Sequence, residues 1–190
     1  MKRRIIAVAL AVIAIAILSA GTIAYFTSEQ EAHNIITTSG VDVTLQEWAD
    51  EVGGTPFPSD PVLVMPGERV DKIVTVRNNE ADAFLRASFE IILYNEAGEE
   101  INPDNLAEAV VIEPGSDWVE DGGWYYYNSV LSAGEVTEPL FSEVVFYGPS
   151  MTNEYQNCTC EVIVTVQAVQ AANNAETAVD ASGWPIAPQV

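Results

Sequence analysis

Basic residues, histidine and cysteine are scarce in this 190-residue chain, and each scarcity removes a class of function. Seven Lys and Arg stand against 28 Asp and Glu, an imbalance that repels phosphate backbones and argues against nucleic-acid binding. The single histidine, His33, cannot complete a zinc site, and no His-Glu-x-x-His helix accompanies it. It is read as a surface residue in a polar loop. There is no Gly-x-Ser-x-Gly elbow, no phosphate-cradling Gly-rich loop and no Asp-x-Asp-x-Asp-Gly calcium loop; residues 117–121 lack that alternation. No catalytic residue, metal ligand or cofactor is therefore expected.

The two cysteines, Cys158 and Cys160, are too few for a disulfide framework, and a chain of this size needs none. On one face of a strand they stand about 6.5–7 Å apart, beyond the usual reach of a disulfide. Two buried small hydrophobes, an irregular disulfide, and an intermolecular or metal-binding role all stay open. Cys-His catalysis would need an electropositive pocket, and the charged residues near them in sequence are acids. The sequon at Asn157 matters only in a host that glycosylates.

Three of the basic residues, Lys2, Arg3 and Arg4, precede the apolar run 5–18 (IIAVALAVIAIAIL), the layout of a signal peptide. Thr22 and Ala24 supply the small residues for a cut after Ala24, so residues 1–24 are read as the signal and the mature chain begins at Tyr25. Residues 5–26 are also long enough for an uncleaved anchor. Either way the remainder is exported, and the membrane is met only through this segment. Gly21 stands where a lipid-bearing cysteine would be needed, which excludes lipid attachment. The mature chain keeps Arg69, Lys72, Arg77 and Arg86 against 28 acids, a net charge of about −24.

Residues 25–40 read as a mobile arm leading into a first strand. Val41, Val43 and Leu45 alternate with polar residues, the period of a half-buried strand. Pro66-Gly67 is a turn before a strand over 70–77. Leu85, Ala87, Phe89, Ile91 and Leu93 share one face, with Arg86, Ser88 and Glu90 on the other. Asn102 and Pro103 suit the start of a short helix carrying Leu106, Ala107, Val110 and Val111. The aromatic run 124–128 and residues 140–147 are further strands, and Cys158, Cys160, Val162, Val164, Val166 and Ala168 line one face of a long last one. Trp118 and the aromatics at 124–127 supply either sandwich core or the floor of a carbohydrate groove. Residues 41–171 are thus read as one β-sandwich domain, and 172–190 as a loose tail. Seven or eight strands with one small helix predict an all-β, antiparallel two-sheet sandwich.

Residues 21–43 (GTIAYFTSEQEAHNIITTSGVDV) resemble the start of the TasA/camelysin family of secreted matrix proteins. The likeness is carried by Gly21, Thr22, Ala24, Phe26, Asn34, Thr38, Gly40 and the strand Val41, Asp42, Val43. Pro66-Gly67-Glu68 with Val76, Asn78 and Asn79, then Phe84-Leu85-Arg86, resemble later blocks of the family. Residues 124–127, Leu131, Gly134-Glu135, Thr137 and Pro139-Leu140 resemble a block of SipW-signal proteins, and residues 166–171 and Trp184 their C-terminal strand and tail.

The resemblance implies a jelly-roll-like sandwich, cleavage by a SipW-type signal peptidase, and assembly into extracellular fibres of a biofilm matrix. In such fibres the N-terminal arm of one subunit adds as a strand to the next, here through Tyr25, Phe26, Ile35 and Ile36. The implied partners are further copies of the chain and related matrix subunits. Camelysin-like members are also classed as metallopeptidases, and a monomeric surface-binding module is the third alternative.

Overall fold

The computed structural model describes residues 34–37, 40–60, 62 and 64–185. The signal segment 1–24, its cleavage residues Thr22, Ala24 and Tyr25, and Phe26 and His33 lie outside the described residues, as do 186–190. At 34–37 the backbone is described.

Alternation of apolar and polar residues produces two strands that dominate the molecule. β4 (Ala83–Tyr94) and β10 (Thr159–Gln170) pair antiparallel over their whole lengths, with Leu85 opposite Ala168, Ala87 opposite Val166, Phe89 opposite Val164 and Ile91 opposite Val162. Because side chains alternate across a strand, this register places all eight on one inner face. β1 (Asn34–Thr37) lies on the outer edge of β10, while β8 (Trp124–Tyr127) and then β7 (Trp118–Asp121) continue the sheet beyond β4. The two-residue β5 (Glu100–Ile101) pairs with the far end of β4.

The second sheet runs β2 (Val43–Trp48), β3 (Arg69–Asn78), β9 (Phe141–Phe146), β6 (Val110–Ile112). Val43, Val74, Val76, Val110, Phe141 and Val144 from this sheet meet Leu85, Ala87, Val164 and Val166 from the other in one core. Among the described residues every strand pairing is antiparallel except β1 with β10. The expected all-β, antiparallel two-sheet sandwich with one short helix is thus the architecture of this chain.

Three local expectations need correction. The helix is a single turn, α1 (Leu106–Ala109), and Val110 and Val111 leave it to pair with Phe146 and Val145 of β9. Three successive β-branched residues at 110–112 fit a pleated edge better than a helix. Strand β7 was not foreseen, since Trp118 is the only buried residue among its four. It is held by a two-residue turn in which Gly122 and Gly123 take φ of 58° and 81°, the mirror-image geometry that matches strand twist. Residues 172–185, read as part of a loose tail, are folded onto the outer face of β4, as described below.

Candidate functional site

The arm enters the fold at the margin of the larger sheet. Asn34, Ile35, Ile36 and Thr37 stand beside Thr165, Val166, Gln167 and Ala168 in parallel register. No hairpin joins β1 to β10, so their association owes nothing to local chain connection. Immediately after the arm the chain turns at Gly40, whose φ of 86° disfavours any side chain there. It is then pinned: Asn79 donates its backbone N–H to the Asp42 carbonyl at 2.8 Å and its side-chain amide to Asp42 Oδ2 at 3.0 Å and Thr44 Oγ1 at 2.9 Å. A fixed clasp thus follows the four-residue edge strand. Of the four predicted arm residues, Ile35 and Ile36 fall on β1, and Tyr25 and Phe26 lie outside the described residues.

The aromatic run is divided by the strand period. Tyr125 stacks on Phe89 with centroids 5.2 Å apart and Tyr127 packs on Trp118 at 5.1 Å, both on the inner side. Trp124 and Tyr126 face outward and surround Arg86. The guanidinium lies 4.3 Å from the Trp124 ring and 4.7 Å from that of Trp184. Its Nε and Nη2 donate to Gln167 Oε1 at 2.9 and 2.6 Å, and Nη1 donates to the Tyr126 hydroxyl at 3.2 Å. Packing therefore uses these rings as core and clamp, rather than as the open floor of a sugar groove.

Trp184 reaches Arg86 because residues 171–184 form a strap across Phe84, Tyr126 and Val169. The strap buries Ala178 and Ala181 and is tied by Asn174, whose amide donates to the Gln170 and Ser182 carbonyls and whose Oδ1 accepts the Ser182 N–H. Small side chains let the backbone lie close to the sheet, and they carry little hydropathic signal. That is why this segment reads as a tail in the sequence.

A second cation is enclosed at the other sheet. Lys72 on β3 and Glu47 on β2 form an ion pair at 2.8 Å with side chains 4% and 8% exposed, and Phe57 lies over the ammonium at 4.1 Å. The loop that delivers Phe57 is organised by Asp50. Hydrogen bonds from the Thr55 hydroxyl, then the Thr55 and Glu51 N–H groups, hold its carboxyl below the usual value. Sequence reading missed this pair, although Glu47 shares parity with Val43 and Leu45, and Lys72 with Val74 and Val76.

Both cysteines are free thiols. Cys158 precedes β10 instead of lining it, and its Sγ donates to the Glu154 carbonyl at 3.1 Å. Burial, and secondarily the charge of Glu161, pushes the Cys160 thiol up from 9.0 to about 12; burial also raises Cys158. The folded state holds the Cys160 proton where the unfolded chain releases it. Its contribution to stability is thus complete below about pH 9 and declines as pH rises towards 12. We expect Cys160 to resist iodoacetamide at pH 8 in the folded protein and to alkylate fully in denaturant, read by intact mass. Rapid native labelling of Cys160 would show that this end of β10 opens.

Among the described residues no three His, Cys, Asp or Glu side chains converge as a metal cluster. Comparison with protein-family models, with curated proteins and with solved structures finds no match.

Proposed function

We propose that the chain is a secreted structural protein of an extracellular matrix, released by a SipW-type peptidase and polymerising by donation of its N-terminal arm. The observation that carries this reading is the parallel β1–β10 edge, where a four-residue arm strand occupies a sheet margin without a hairpin to hold it. An edge strand of this kind is exchangeable, because an identical segment from another copy makes the same ladder. The sequence resemblance to TasA/camelysin proteins points the same way, and related matrix subunits are the natural further partners.

Negative charge sets the conditions. With four cations against 28 acids, copies repel until screened. Raising salt from about 0.01 to 0.15 M shortens the screening length from about 30 to 8 Å, and fibre yield should rise with it.

The decisive comparison is electron microscopy of the mature chain beside a version lacking residues 25–34. Fibres from the first and single molecules from the second are the expected result. Particles of one copy at every concentration and salt level, with β1 retained on its own β10, would instead favour the monomeric surface module.

A further inference from the structure

Arg86 is a half-buried cation without a counter-ion. Two of the other cations beyond residue 24 are paired, Arg69 with Glu143 and Lys72 with Glu47, whereas among the described residues no carboxylate lies within ion-pair distance of Arg86. Its surroundings are the neutral rings of Trp124, Tyr126 and Trp184 and the amide of Gln167. A charge enclosed in this way is short of an opposite one.

Unused hydrogens gather at the same place. A guanidinium carries five N–H groups, and the bonds to Gln167 and Tyr126 use three of them. Gln167 is fully buried, and among the described residues its Nε2 has no partner. That nitrogen shares its amide carbon with the oxygen 2.6 Å from Arg86 Nη2, so it lies beside the guanidinium. Trp184 Nε1 is likewise buried and unpartnered, on a ring centred 4.7 Å from Arg86 Cζ. The acceptors in contact with Arg86 are already engaged, Gln167 Oε1 by two N–H groups and the Tyr126 hydroxyl by one. Donors in surplus suit an anion, which takes N–H groups from several sides, better than water, which must place two hydrogens of its own.

We propose that Arg86, Gln167 and Trp184 bind a small monovalent anion, a halide or a carboxylate. Trp184 belongs to the strap and the other two to β4 and β10, so the anion bridges strap and sheet. A ligand held only by the closed strap stabilises closure as its concentration rises. Enclosure among indole rings limits the ligand's size and disfavours doubly charged, strongly hydrated anions. The chain's 28 acids repel every anion, so the affinity is modest and comes from the donors in contact.

The test melts the exported, processed chain in sodium gluconate and in series where chloride, bromide or acetate replaces the bulky gluconate. Ionic strength stays constant, which holds charge screening fixed. A saturable rise in melting temperature with a small anion, and slower hydrogen exchange across 171–184, are expected. A stronger response to acetate identifies a carboxylate as the ligand, and a stronger response to chloride or bromide a halide. Equal melting in all four salts overturns the proposal. Gln167→Glu sets a carboxylate of the chain itself against the guanidinium and should abolish the response to added anions. Trp184→Phe keeps a ring in the strap and removes one donor, so the anion concentration at half-effect should rise about tenfold. An undiminished response in either variant, or a bromide anomalous peak in crystals that lies away from Arg86, places the anion elsewhere and overturns the site.

Discussion

Glu47→Ala should cost about 3–5 kcal/mol of folding stability, among the largest effects available to a single substitution in this chain. The carboxylate it removes sits 2.8 Å from Lys72 Nζ in a place where both side chains are almost wholly enclosed. Taking charge out of water is expensive, and the opposite charge offsets that cost only while both are present. The ammonium keeps its contact with the Phe57 face, whose attraction contributes on the order of 1–2 kcal/mol and does not replace a carboxylate. For a domain of about 160 residues the loss corresponds to a melting temperature lower by roughly 10 °C. Replacing both partners, Glu47→Leu with Lys72→Met, should cost less than either single change, because no charge is then stranded. A thermal melt of the three variants checks this. A double variant at least as damaged as Glu47→Ala would mean that shape, not charge, governs the site.

Arg86→Ala is expected to cost about 2–4 kcal/mol, by a different route. The substitution removes a planar cation from contact with Trp124 and Trp184 and deprives the Gln167 carbonyl oxygen of two donors. Gln167 is fully buried, and its Nε2 already lacks a partner, so losing Arg86 leaves the whole amide unsatisfied. Alanine methyls contribute little burial, so Trp184 is the main apolar anchor of the strap. Its release should shift tryptophan emission to longer wavelength and speed hydrogen exchange across 171–184 well before global unfolding. Arg86→Lys should rescue little, since an ammonium cannot stack between two rings while holding both Gln167 and Tyr126. Wild-type melting in Arg86→Lys would refute the stacking account.

What could be seen in the sequence followed from side-chain period. The face Leu85, Ala87, Phe89, Ile91, Leu93 is legible because polar Arg86, Ser88 and Glu90 interrupt it, and β10 is legible for the same reason. The Lys72–Glu47 pair obeys the same parity, but recognising it needs the register of β2 against β3, which is a tertiary fact. The strap is silent because alanines have neither strong hydropathy nor a repeat. The turn at Gly122-Gly123 was visible, and an Asp-Gly-Gly signal between Trp118 and Trp124 is enough to have suggested the β7–β8 hairpin.

The Asp42–Asn79 clasp has a mechanical consequence. It ties the root of the arm to the end of β3, an interior strand of the smaller sheet, through contacts separate from those of β1 with β10. A tensile load entering through the arm and directed along β10 therefore strains the β1 ladder lengthwise, so that its bonds yield together in shear instead of peeling one at a time. Whatever load passes that ladder is handed through the clasp to the middle of the opposite sheet, and a filament joined in this way would stretch without unravelling its subunits.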